Sequence, residues 1–304
     1  MTGAAAMPES VAPAANGPDP GRRASKLVRF GERLRRNKLA AFGLAFLILT
    51  GLVVSLEPLL PLPSAYTIDL RNQFATPSAA HWLGTDENGR DVLARLIIGG
   101  RVSFAVAIVG ALLTVLIASL VGVIAGYFGG ATDNLIMRFT DGLMSVPTFF
   151  LLMVILTLWG SSAAVLIIGL ATTRWMGVAR LVRAEVLRFK NMDFITASRG
   201  LGATDRRIMF VQLLPQAVPS LVVATTINVG VVMLVEAGLS FLGIGILPPT
   251  PSWGNMLTAS QYYMWSAPHL AVYPGLMILL SVMAFNSLGD VVRDVLDPRA
   301  QADD

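Results

Sequence analysis

Ser103–Tyr127 reads SFAVAIVGALLTVLIASLVGVIAGY, twenty-five residues without one Asp, Glu, Lys or Arg. As a helix rising 1.5 Å per residue it is about 37 Å long, enough to cross a hydrocarbon core about 30 Å thick. Two more charge-free stretches flank it. Leu39–Leu56 is long enough for one crossing, whereas Leu143–Thr173, about 46 Å as one helix, is too long for a single span. Gly160-Ser161-Ser162 lies at the middle of the latter and predicts a tight turn, dividing it into spans near 142–160 and 162–180. The second of these must absorb Arg174 at its inner end. Residues 208–289 carry a single charge, Glu236, and supply two further spans near 216–240 and 269–289. The reading is an all-α integral membrane protein with six transmembrane helices.

Composition agrees. Of 304 residues, 54% are hydrophobic and 14% charged, with mean hydropathy +0.66. A soluble domain carries about 25% charged residues, so a soluble enzyme is excluded. Cysteine is absent and the two histidines, His81 and His269, are far apart, which leaves no disulfide, thiolate nucleophile, iron–sulfur cluster or common zinc site. No metal-binding or catalytic residue is assigned. The net charge of +4 and pI near 9.8 come from basic residues flanking apolar segments, a membrane pattern rather than a nucleic-acid one.

Charge also orients the chain. Residues 1–38 hold eight Lys/Arg and three acids, and residues 174–207 hold eight and three. Placing both on the cytoplasmic side puts 128–141, 181–214 and the tail there too. The outside then receives 58–102, with no net charge, and 243–268, with no charged residue. Both termini are expected in the cytoplasm. Residues 1–25, rich in Ala, Pro and Gly, are expected to be a disordered extension. Residues 26–38 predict a basic amphipathic helix at the inner surface. The first span, 39–57, lies too far from the N-terminus to read as a cleaved signal and lacks a small-residue cleavage site. An extracytoplasmic loop, 58–102, precedes a core domain, 103–290, and a tail, 291–304. No internal repeat of 20–50 residues is visible.

None of the three lysines lies in a phosphate-binding G-x-x-x-x-G-K-[ST] loop, so any ATP dependence must come from a partner. Thr196–Pro215, TASRGLGATDRRIMFVQLLP, falls in the longest inward loop. A helical run from Ala179 to Arg199 is expected to break at Gly202, where a left-handed backbone is tolerated. Thr204 then caps a short helix with Asp205 in its first turn, Arg206 and Arg207 exposed, and Ile208, Phe210 and Leu213 leading back to the membrane. A short exposed helix between two spans suits docking to a groove on a cytoplasmic protein. An ordinary positive-inside loop is the plainer alternative.

This segment resembles the EAA loop of importer-type ATP-binding-cassette permeases: Ala197, Gly202, Leu214 and Pro215 match in register. GTDENGRDVLARLIIGGRVS (84–103), EAGLSFLGIGILPPTPSWGNML (236–257) and PGLMILLSVMAFNSLGDVVRDVLDPR (274–299) narrow the resemblance to the C-type permease subunit of dipeptide, oligopeptide and nickel importers, over residues 35 to 299. It implies a type I importer fold with no covalent chemistry of its own. It also implies a second homologous permease subunit, one or two cytoplasmic ATPase subunits holding ATP and Mg, an extracytoplasmic substrate-binding protein, and a place in the cell inner membrane. Within loop 193–215, ATPase coupling would fall to Ala197, Arg199, Gly202, Ala203, Thr204, Asp205, Arg206, Arg207 and Pro215. Thr196, Ser198 and Gln212 depart from the family pattern, which has Glu, Ala and an apolar residue at those places. The missing Glu removes one charge-assisted contact, worth about 1.5–3 kcal/mol if buried.

Glu236, an acid inside an apolar span, is a functional candidate on cost alone. With Ser240 as its hydrogen-bond partner, it reads as a gate-supporting structural group rather than a substrate ligand. Asp86, Glu87, Arg90, Asp91 and Arg95 at helical spacing suggest a surface helix, with Asp86/Arg90 and Asp91/Arg95 as i,i+4 pairs. The resemblance makes Asp86, Glu87, Arg90 and Asp91, together with Trp253 of the Pro-rich outer loop, contacts to an extracytoplasmic partner. Tyr262, Tyr263 and Trp265 suit an interfacial aromatic belt. A self-powered secondary transporter is the alternative, weakened by the lack of repeats; a lipid-acting membrane enzyme lacks a convergent catalytic inventory.

Overall fold

The computed structural model describes residues 26–296; the expected N-terminal extension and the last eight residues of the tail lie outside them. Among the described residues every regular segment is helical. The basic helix α1 (Lys26–Arg36) stops at Asn37, whose side chain accepts from the Ala40 amide at 3.1 Å and so starts α2 (Lys38–Leu56). Residues 57–91 are irregular apart from two single 3-10 turns.

α3 (Val92–Phe128) is 37 residues long and begins eleven residues before the charge-free stretch. The surface helix expected across 84–101 is therefore corrected: Asp91 is not inside a helix but caps one, accepting from the Ala94 amide at 2.7 Å. α3 ends where Gly129 takes φ +66. α4 (Gly130–Met144) and α5 (Thr148–Trp159) follow, bent by 82° at Ser145-Val146-Pro147. Pro147 cannot continue the amide ladder of α4, and α4 carries Asp133, Arg138 and Asp141, which belong at a polar boundary. The third span thus has a 12-residue apolar limb, about 18 Å, in place of a straight helix over 142–160. The turn at Gly160-Ser161-Ser162 is present, with Gly160 at φ +91 and Ser162 capping α6 (Ala163–Phe189).

α6 stops at Phe189, so the helical run expected from Ala179 to Arg199 is broken at 190–192 and resumes as α7 (Asp193–Gly200). α8 (Asp205–Arg207) passes through a wide π turn, Ile208–Leu213, into α9 (Leu214–Phe241). α10 (Trp253–Ser260) and α11 (His269–Leu296) complete the chain. Among the described residues five helices are long and apolar enough to cross a membrane, six when the bent α4–α5 pair is taken as one span.

Between lipid-facing helices the apolar effect is weak, so close backbone approach decides which helices pair. α3 lies against α6 through Gly122 and Gly126. A Cβ at Gly122 would stand 2.5 Å from the Ala179 carbonyl oxygen, and one at Gly126 would stand 2.8 Å from Val186 Cβ. Ion pairs then fix α4 across α6: Asp133 takes both forks of Arg183 at 2.5 Å, and Asp141 pairs with Arg180. The segments assigned by charge to one side, 128–141 and 181–214, therefore meet at one Arg-rich end of the bundle. At the other end Ser161 donates to the Ile244 carbonyl at 2.6 Å and Trp253 reaches α3.

Candidate functional site

At the Arg-rich end α7 and α8 form a bent lever between α6 and α9. The chain reverses at Gly202, φ +82, a conformation an L side chain resists. Thr204 then caps α8, its hydroxyl accepting from the Arg207 amide at 3.4 Å. One face of the lever is anchored: Ile195 and Ile208 are fully buried, and Leu213 nearly so, packed in a cluster with Val182 and Val186 of α6. The other face is open. Ala197, Gly202, Thr204, Asp205, Arg206 and Arg207 are exposed, as is Pro215 in the first turn of α9, while Ala203 is half-buried.

Two polar ties join the lever to its surroundings. The Tyr127 hydroxyl, at the last turn of α3, donates to Asp205 Oδ1 at 2.6 Å, and the Arg199 guanidinium lies 5.3 Å above the Tyr127 ring. Asp205 thus faces α3, leaving Arg206 and Arg207 as the outward charges. The second tie pairs two of the residues that depart from the family pattern: Gln212 Nε2 donates to Ser198 Oγ at 2.6 Å. Sequence reading passed over one residue here. Leu201 is 89% exposed between Gly200 and Gly202, and its signal was a lone apolar side chain in a charged loop.

The opposite end is organised by Glu236, which is fully buried. Ser240 Oγ donates to Glu236 Oε1 at 2.8 Å and accepts from the Ile246 amide at 3.0 Å. Ser103 Oγ donates to Glu236 Oε2 at 3.1 Å and accepts from the Trp253 amide at 3.2 Å. Each carboxylate oxygen therefore reaches one backbone amide of the 242–258 loop through a serine, and the side chain of Ser252 in that loop also bonds the carboxylate. Asn255 closes that loop from within, donating to the carbonyls of Ile246 and Thr250 and completing a capping box with Ser252. No ligand-sized opening reaches Glu236; its geometry is that of a strut.

Trp253 is fully buried, its indole donating to the Leu96 carbonyl at 2.8 Å and its ring lying on Gly99 and Gly100 of α3. This corrects its assignment as an extracytoplasmic contact, since no partner can reach it. Asp86 and Asp91 are corrected likewise. Asp86 is held by Arg90 at 2.7 Å and Arg95 at 3.3 Å, and Asp91 by His81 at 2.9 Å, all largely inside the loop. The expected Asp91/Arg95 pair does not form. Arg90 Nη2 also donates to Glu87 at 2.8 Å, and of the four loop residues Glu87, at 17%, retains the most access. Tyr262 and Trp265 are 79% and 97% exposed, while the Tyr263 ring packs tilted against Phe74, centroids 4.8 Å apart.

Comparison with known proteins places these features. Residues 118–302 match the family described as binding-protein-dependent transport system inner membrane component. The chain is 38% identical over 269 residues to the glutathione transport system permease protein GsiD of Pectobacterium atrosepticum, covering 88% of this chain and 89% of that protein. It is 36% identical over 271 residues to the oligopeptide transport system permease protein OppC of Bacillus subtilis, covering 88% of each. Among solved structures, a chain from inward-facing conformations of the MetNI methionine ABC transporter aligns with TM-score 0.54 at 22% identity. It covers 67% of this chain and 97% of that one, a likeness of fold.

Proposed function

Because the chain belongs to the family of binding-protein-dependent transport system inner membrane components, and is a multi-pass permease of that family, we propose a specific division of labour for it. It forms half of a translocation pathway for peptide-class solutes; relatives named for glutathione and oligopeptide transport support that substrate class. A second permease completes the pathway, an extracytoplasmic binding protein delivers solute, and partner ATPases hold ATP and Mg. The chain itself performs no covalent step.

The observation that carries the coupling role is the lever of residues 196–215: exposed at Gly202 and at Thr204–Arg207, anchored beneath by Ile195 and Ile208, and continuous with α9. A partner gripping the exposed face moves the lever. Its buried footing passes the displacement to α3, α6 and α9, which tilt as rigid bodies between inward-open and outward-open arrangements. Cytoplasmic placement of both termini and of this lever is part of the proposal and follows from the Lys/Arg bias. Glu236 and Ser240 hold the 242–258 loop as the outer gate.

The test uses the assembled complex in proteoliposomes. Reversing Arg206 and Arg207 to Glu is expected to cut uptake more than tenfold and to abolish substrate-stimulated ATP hydrolysis, with insertion intact. Normal uptake and stimulation in that variant would remove the lever assignment.

A further inference from the structure

A cavity of about 720 Å³ opens between α6, α9 and the end of α11. That is within the size range of small-ligand sites. Arg174 lines it from α6, fifteen residues before the helix ends and so about 22 Å from that end. Its Nε is buried without a hydrogen-bond partner, and it pairs with no carboxylate among the described residues. A guanidinium inside a membrane span is costly, which makes a ligand role the default reading. The one acid of the cavity, Glu185, is engaged by neighbours in the same wall and not by Arg174: Ser220 Oγ donates to it at 2.8 Å and Arg188 stands 3.8 Å away. Gln216 and Asn228 add amide donors and acceptors to the same walls, among mostly apolar neighbours.

We propose that this cavity is a solute subsite in which Arg174 receives the C-terminal carboxylate of the transported peptide-class molecule while Gln216 and Asn228 hydrogen-bond its peptide groups. A planar guanidinium with free donors matches a carboxylate fork. Arg188 and Arg293 also line the cavity, from the exposed last turns of α6 and α11, with Arg188 beside Glu185; Arg174 instead stands deep in α6, and the amides of Gln216 and Asn228 match peptide groups, which a phospholipid headgroup lacks. The inference rests on the peptide-import reading above and adds to it the residue that reads the solute's charge.

The chain contains no cysteine, so Val223→Cys in the cavity wall gives a single reporter in this subunit. In the assembled nucleotide-free complex, maleimide labelling of that residue is followed with trialanine or trialanine amide, and trialanine uptake is measured in parallel. Trialanine is expected to slow labelling. Its amide should need about tenfold more for equal protection, the worth of one charge-assisted contact. Arg174→Gln should erase the difference, and Arg174→Lys should retain part of it. Uptake with equal protection by acid and amide, or with none, overturns the subsite alone. Protection that follows phosphatidylglycerol content instead makes it a lipid site and also overturns the proposal. Absence of trialanine uptake by the wild-type complex removes the peptide-import reading, and the subsite with it.

Discussion

Tyr127→Phe removes one oxygen from the tie between α3 and the lever and leaves the ring under Arg199 in place. At 2.6 Å the phenol–carboxylate contact falls in the short, charge-assisted class. Such bonds contribute about 1.5–3 kcal/mol when protected. Tyr127 is 6% exposed but Asp205 is open to solvent, so screening places this one near the lower bound, about 1–1.5 kcal/mol. An energy of that size changes the ratio of lever-engaged to lever-free states about five- to tenfold. On the proposed coupling the expected signature is a loss of uptake without a loss of hydrolysis, because the substitution lies outside the ATPase subunits. In the reconstituted complex, uptake per ATP hydrolysed should fall about five- to tenfold in Tyr127→Phe, with basal hydrolysis unchanged. Asp205→Asn should lose a similar factor, and the double variant no more than either alone, since both remove the same contact. Multiplying losses in the double variant, or an unchanged uptake-to-hydrolysis ratio in Tyr127→Phe, would refute transmission through this tie.

Three further outcomes follow from packing and pairing. Gly122→Leu has no room beside the Ala179 carbonyl and Val182, so α3 and α6 must part; a cost of about 1–3 kcal/mol should lower the thermal midpoint of the purified complex, while Gly51→Leu, where nothing stands within 4 Å, should not. Trp253→Ala empties the seat on Gly99 and Gly100 and removes the indole donor from the Leu96 carbonyl, which should destabilise the 242–258 loop by about 3 kcal/mol or more and appear as its faster proteolysis. Ser198→Ala strands Gln212 Nε2 and should cost about 1 kcal/mol, whereas Ser198→Ala with Gln212→Leu removes both polar groups, including the already unpaired Gln212 Oε1, and should restore the wild-type midpoint. A double variant no more stable than the single one would deny that these two residues compensate.

The membrane class was legible because hydrocarbon imposes length and charge rules on each segment separately: Ser103–Tyr127 needs no partner to be read. Local chemistry was legible at Gly202, Thr204 and Gly160 for the same reason, since left-handed backbone and helix caps are decided within a few residues. What failed depended on tertiary neighbours. Asp91 and Arg95 fit an i,i+4 pair by spacing, yet Asp91 has the better offer of the α3 amides and His81, while Arg95 turns to Asp86. Trp253 in a Pro-rich loop resembles an exposed contact until Gly99 and Gly100 of α3, 154 and 153 residues earlier, provide its seat. The bend at 145–147 was hidden because an apolar count cannot distinguish one straight crossing from two limbs.

α3 ties these local features into a mechanism. Ser103, at one end of its apolar stretch, holds Glu236 and the Trp253 amide; Tyr127, at the other, holds Asp205 of the lever. Twenty-four residues separate them, about 36 Å of continuous helix. α9 runs the same distance in parallel function, carrying Glu236 near one end and joining the lever through the π turn at the other. Two rods pinned to each other at the buried carboxylate, and to the lever at Tyr127 and Ile208, cannot move independently at either end. On the proposed coupling, a displacement of residues 196–215 would reach the 242–258 loop through these two helices and the serines that hold Glu236. On that proposal Glu236 serves as a pin between α3 and α9, which gives a reason for an acid that is fully buried and bonded to serines of both helices.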